Sequence, residues 1–151
     1  MTQAMGNINT DPQKACFIER EFEADDKCLP EVLAFLEEEL ERHDAGPKQV
    51  MALSLALEEA FVNVAHYAYE NMPQGKAWVG LSFEGDQVSI TLKDQGMAFD
   101  PLANEDPDIT ASAKDRKIGG LGIFMIKKST DFCTYRREHG CNILTMNKTI
   151  R

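Results

Sequence analysis

The chain has 151 residues, 43% hydrophobic and 27% charged, which suits one soluble domain and excludes a disordered chain too poor in apolar surface to offset its ordering entropy. No stretch longer than ten residues lacks Asp, Glu, Lys or Arg, which excludes a membrane-spanning helix of about 20 apolar residues. Sixteen Lys and Arg against 25 Asp and Glu leave a formal charge of −9, which argues against direct nucleic-acid binding and suits a basic partner protein.

Residues 1–13 are polar and aperiodic and read as a flexible arm, with the folded domain expected over 14–151. The start carries neither a basic cluster nor an apolar run, so no secretory signal is read and a cytoplasmic location is expected. ACFIEREFE, from Ala15 to Glu23, reads as a strand with Phe17 or Ile18 and Phe22 inward. Pro30 opens an amphipathic helix in which Val32, Leu33, Leu36 and Leu40 face the core and Glu37, Glu38, Glu39 and Glu41 fill the other side. Gly46 stops it, and Pro47 begins a second helix running to about Glu70.

From Ala77 the apolar period drops to two, through Val79, Leu81 and Phe83, and resumes at Val88, Ile90 and Leu92 after Gly85-Asp86, a hairpin pattern. Residues 95–118 hold glycine, proline and acidic residues but few bulky apolar ones after Phe99, and read as a long loop, functional or disordered. A helix over Gly120 to Thr130 and a hairpin near 131–137 and 141–149, turning at His139-Gly140, complete the chain. The resulting order β-α-α-β-β-loop-α-β-β predicts an α+β fold: a two-layer α/β sandwich with a mixed, mostly antiparallel sheet and helices on one face. The four cysteines, Cys16, Cys28, Cys133 and Cys141, form no CxxC pair and are expected to be reduced, mostly buried thiols.

Three segments carry chemistry in combination. In LALEEAFVNVAHYAYE, residues 55–70, Glu59 and Asn63 are four apart and share a helix face inside an almost continuous apolar wrap. Polar groups set in such a wrap need partners. KDQGMAFDP places Asp94 at a strand end, two residues before Gly96. KIGGLGIFMIKK leads Gly119, Gly120 and Gly122 into a helix, where free backbone N–H groups and the helix dipole suit phosphate. Taken singly, each has an ordinary structural explanation: a solvated or structural polar pair, an Asx turn, a flexible loop.

Their order, E-x-x-x-N, then D-x-G, a long lid and G-G-x-G, resembles the N, G1 and G2 boxes of the GHKL ATPase fold shared by gyrase, Hsp90, MutL and histidine kinases. LEEAFVNV, DQGMAFDP and GGLGIFMIKKSTD are most similar to the signatures of the anti-sigma-factor serine/threonine kinases, and the resemblance spans roughly residues 15–150. It implies ATP and Mg²⁺ as cofactors, with Asn63 on the metal and Glu59 as general base. It implies that Asp94 accepts from the adenine amino group with Gly96 beside it. Gly119, Gly120, Leu121 and Gly122 would face the phosphates. Lys117, within the cluster Lys114, Arg116 and Lys117, would lie near the γ-phosphate, and Thr145 would support the adenine contact. One departure is Tyr67, where many members carry a histidine; His66 precedes it and returns by helical angle toward the Glu59–Asn63 face.

The family likeness further implies a homodimeric kinase that phosphorylates a serine or threonine of an anti-sigma antagonist of STAS type and binds a sigma factor. The alternative is a nucleotide-dependent partner-binding switch without appreciable turnover.

Overall fold

Period-two alternation in some segments and 3.6-residue periodicity in others become five strands and three helices in the computed structural model, which describes residues 16–102 and 120–151. The strands are β1 (Cys16–Glu23), β2 (Lys76–Glu84), β3 (Gln87–Asp94), β4 (Phe132–Glu138) and β5 (Cys141–Thr149). The helices are α1 (Leu29–Arg42), α2 (Pro47–Asn63) and α3 (Gly120–Ser129). The expected arm at 1–13, most of the lid, and Lys114, Arg116, Lys117 and Gly119 lie outside the described residues.

The sheet order is β1-β2-β3-β5-β4, and every described pairing is antiparallel, one step beyond the mixed, mostly antiparallel sheet expected. The connections explain the difference. A single crossover helix would return the next strand parallel, but the α1–α2 hairpin reverses the chain once more and lays β2 antiparallel to β1. α3 is a single crossover, yet the strand it delivers, β4, stands one place away from β3, and β5 folds back into the gap. That last turn has His139 and Gly140 at φ 52° and 78°, the paired left-handed geometry that matches strand twist in two-residue hairpins.

The inward face of the sheet, through Val79, Leu81, Ile90, Leu92 and Met146, meets Leu36, Leu40, Leu53, Leu57 and Phe61 of the helices, all buried. Each such side chain contributes about 1.5–3 kcal/mol by leaving water. In β1, Phe22 is buried and Ile18 packs on the core, whereas Phe17 stands on the outer face, 61% exposed, closing with Thr91 over Gly80. Glu39 departs from its expected solvent face: it is buried, and its Oε2 accepts from Arg42 Nη1 at 2.5 Å. The cysteines are free thiols, but none is fully buried; Cys16 is exposed and the other three are half-buried. Among the described residues no helix is long and apolar enough to cross a membrane.

The second helix does not run to Glu70 as a uniform α-helix. After Asn63 it widens into a π-turn over Val64–Ala68, ended by Tyr69. Such single π-turns recur at functional sites because they re-aim the side chains that follow.

Leu57→Ala is expected to destabilise the fold by about 2–5 kcal/mol in urea unfolding, because the site lies where helix and sheet interlock. Met51→Ala, at a position 74% exposed on the same helix, is expected to change it by less than about 0.5 kcal/mol.

Candidate functional site

At one end of the sheet the register aligns a single cross-strand row on the helix-covered face: Phe22, Ala77, Asp94, Asn142 and Arg137. Asp94 is only 4% exposed, so its carboxylate needs donors. Its Oδ1 accepts from Gly96 N at 2.8 Å and from Asn142 Nδ2 at 2.9 Å. Among the described residues no hydrogen bond reaches Oδ2. Burial pushes the carboxyl above its ordinary range, opposed by the Asn142 and Gly96 bonds and by the nearby Arg137 guanidinium. Arg137 is itself tied down, donating from Nη1 to Gly96 O at 2.9 Å.

The facing wall comes from the end of α2 and the π-turn. Tyr69 OH accepts from Gln95 N at 2.8 Å and donates to Lys76 O at 2.6 Å, while Met97 N donates to Ala68 O at 2.8 Å. These bonds draw the loop after β3 against the π-turn so tightly that Gly96 is required: a Cβ there would collide with the Ala68 carbonyl. Between the walls lies a cavity of about 240 Å³, whose lining includes Asn63, Val64, Tyr67, Leu92, Asp94 and Asn142. Its surface is mostly apolar, and its polar lining comes from Asp94 and Asn142, from Asn63, and from Tyr67, Glu70 and Tyr135. Asn63 Nδ2 is buried and has no hydrogen-bond partner among the described residues. A buried amide left unpaired costs about 1–3 kcal/mol, so a ligand that pairs with it would be favoured.

Glu59 sits one helical turn before Asn63, half-buried, and is not part of the cavity lining. Burial first, and then the charge of Glu58, raise its pKa. His66 is exposed, with Nε2 2.6 Å from Asp26 Oδ2, while Tyr67 lines the cavity. The helical angle that brought His66 toward the Glu59–Asn63 face assumed an α-helix; the wider π-turn rotates every residue after Asn63.

Of the residues singled out from sequence, Asn63 and Asp94 therefore meet at one cavity, with Gly96 holding the loop against it. Gly120, Leu121 and Gly122 form the first turn of α3, which packs beside α2. Lys117 and Gly119 lie outside the described residues. Thr145 does not join the site. It pairs with Thr91 and Thr134 on the outer face, because it is three residues from Asn142 and successive strand residues alternate sides. The residue reaching Asp94 from β5 is Asn142, which sequence reasoning missed along with Tyr69, Tyr135 and Arg137. The available signal was parity: Asn142 opens the inward series continued by Leu144 and Met146, and is the polar residue of that series nearest the D-x-G end of the sheet.

Comparison with known proteins shows the family of the chain. The family model described as a histidine kinase-like ATPase domain matches residues 22–148. The chain belongs to the histidine kinase-like ATPase family. The chain is 28% identical over 94 residues to a serine/threonine-protein kinase, BtrW, of Bordetella bronchiseptica, covering 62% of this chain and 66% of that one. It is 31% identical over 105 residues to the serine-protein kinase RsbW of Halalkalibacterium halodurans, covering 66% and 62%. It spans somewhat under two thirds of the length of the curated relatives it matches. The resemblance to anti-sigma-factor kinases read from the three boxes is thus borne out.

Solved structures agree on the fold. The RsbU and RsbW domains of a Mycobacterium tuberculosis protein superpose with TM-score 0.64 at 16% identity, over 89% of this chain and 32% of that one. A SiaB–SiaC complex from Pseudomonas aeruginosa gives 0.58 at 16% identity, over 91% and 92%. A nucleotide fits the donor set of a histidine kinase-like ATPase here: an acceptor at Oδ2 of Asp94, an apolar slot for a base, and the unpaired amide of Asn63.

Gly96→Ala is expected to cost about 1–3 kcal/mol in urea unfolding, because the added methyl forces the loop off the π-turn. The amide of Met97, bonded to Ala68, should lose hydrogen-exchange protection first, ahead of the β3 amides.

Proposed function

We propose that this protein is an ATP-dependent serine/threonine kinase that acts as an anti-sigma regulatory factor. It transfers a phosphoryl group from ATP to a serine or threonine of a STAS-type antagonist, binds a sigma factor, and works as a cytoplasmic homodimer. The observation that carries this is one mostly apolar cavity of about 240 Å³ lined by both Asp94, whose Oδ2 accepts no hydrogen bond from the described residues, and Asn63, whose Nδ2 has no partner among them. The names of the relatives supply the reaction class, and the acidic surface suits a basic partner segment.

Asp94 accepts the amino group of adenine, with Gly96 keeping the neighbouring backbone close. Asn63 offers an oxygen to Mg²⁺ and an N–H to phosphate; Mg²⁺ is commonly held by few side chains together with substrate phosphates, and when bound it neutralises charge on the phosphate oxygens. Glu59, with its pKa raised, is poised to take the proton of the attacking hydroxyl. Backbone N–H groups of Gly119, Gly120, Leu121 and Gly122 receive phosphate oxygens at the start of α3, and Lys117 lies near the terminal phosphate. Thr145 has no part in this site. The position of Glu59 outside the cavity lining favours one second reading, a nucleotide-dependent switch that binds partners with little turnover.

Glu59→Gln is expected to keep ATP affinity within about twofold and to lower phosphoryl transfer to an antagonist about 10²–10⁴-fold, measured with labelled ATP. Transfer at the wild-type rate removes Glu59 from the base role, and no transfer by the wild type with tight ATP binding favours the switch. ATP affinity should also fall with acidity. Oδ1 already accepts two hydrogen bonds, so protonation falls on Oδ2 and turns the oxygen facing the amino group into an O–H donor; because burial raises the Asp94 pKa, affinity begins to drop at a pH above the ordinary aspartate range. Calorimetry across pH 4–8 checks this. In the nucleotide-free protein the sign reverses, since a carboxyl with a raised folded-state pKa favours the fold at low pH and loses that contribution as pH rises.

A further inference from the structure

Asn142 has every hydrogen-bonding position of its side chain filled from within the protein. Nδ2 donates to Asp94 Oδ1 at 2.9 Å and to Met97 O at 2.8 Å. Oδ1 accepts from Tyr135 OH at 2.5 Å and from Phe99 N at 3.3 Å. Two donors and two acceptor sites are all that a carboxamide has. The partners also fix which way the amide points: reversed, its oxygen would face a carboxylate and a carbonyl, and its NH₂ would face the Phe99 N–H. Asn142 lines the cavity but has no bond left for a ligand. Any effect on a ligand passes through Asp94 and the loop.

Its four partners come from four places: the end of β3, two points in the loop that follows, and β4. A free aspartate carboxylate turns readily about its last torsion, where the preference is broad and two-fold. Here Asn142 and Gly96 N both bind Oδ1, so Oδ2 is the oxygen presented to the cavity. Because Asn142 also holds Met97 and Phe99, the same amide sets the distance between that oxygen and the loop wall.

We propose that Asn142 is a positioning residue for purine recognition, holding Asp94 with one acceptor oxygen turned to the cavity and fixing the loop wall beside it, with Tyr135 as its brace. This rests on the nucleotide function proposed above. A six-amino purine meets that oxygen with a donor, whereas a six-oxo purine meets it with a second acceptor, so a fixed Asp94 discriminates ATP from ITP. A loosened Asp94 discriminates less.

The test compares wild type with Asn142→Ala and with Tyr135→Phe, which removes one hydroxyl and keeps the ring. ATP and ITP affinities are measured by calorimetry, and the Asp94 carboxyl is titrated by ¹³C NMR without nucleotide. Asn142→Ala is expected to weaken ATP binding about tenfold and to narrow the ATP/ITP preference by a similar factor. The Asp94 titration should move further up in pH as a donor to the carboxylate is lost. Tyr135→Phe should move all three readings the same way by about a third as much, and it decides the matter if Asn142→Ala does not fold. Unchanged nucleotide preference and unchanged Asp94 titration in a folded variant overturn the proposal while the nucleotide function stands. A wild-type protein that binds neither nucleotide overturns both.

Discussion

A carboxylate almost wholly buried at the end of a core strand is the constraint around which this domain is arranged. Asp94 ends β3 on the core face of the sheet, with apolar Ala77 beside it in one strand and Asn142 in the other. Left alone, such a group would neutralise itself or unfold its surroundings. Gly96, Asn142 and Arg137 keep it hydrogen-bonded and close to a positive charge, but they occupy only one of its oxygens. The residual tension appears as the raised pKa. A ligand with an N–H donor relieves it, which links the stability of this end of the sheet to occupancy of the cavity.

The second constraint is the π-turn after Asn63. It turns Tyr67 into the cavity and His66 out to Asp26, and it presents the Ala68 carbonyl to the Met97 amide. The turn therefore joins the helix that carries Glu59 and Asn63 to the loop that carries Gly96, with Tyr69 OH bridging Gln95 and Lys76 as a second tie. The Asp94 and Asn63 parts of the cavity are thereby joined through one set of hydrogen bonds. Asn63 Nδ2 is buried without a partner among the described residues, so a ligand that accepts from it would be favoured.

Much of this was legible in the residues. Alternation fixed both hairpins to within a residue or so, and the spacing of Glu59 and Asn63 in an apolar helix marked a polar pair in need of partners. The D-x-G at a strand end located the carboxylate. What could not be read depended on quantities that local periodicity does not contain. The π-turn breaks the 100° rotation on which the placing of His66 rested. Thr145 was assigned by likeness of residue type, but strand parity puts it on the outer face, and the residue opposite Asp94 is visible only once β5 is known to lie beside β3. Antiparallel pairing of β5 with both β3 and β4 likewise follows from a strand inserted between two others, which no count of elements reveals. Tyr135 and Arg137 enter through the same register.

The most direct measurement is a crystal structure of the protein with Mg²⁺ and a non-hydrolysable ATP analogue. The expected result has the six-amino group of the base within hydrogen-bond distance of Asp94 Oδ2, Asn142 still bonded to Oδ1, and the phosphates running past Asn63 toward the first turn of α3. A base bound elsewhere, or one whose amino group faces solvent while Asp94 keeps no ligand, would contradict it.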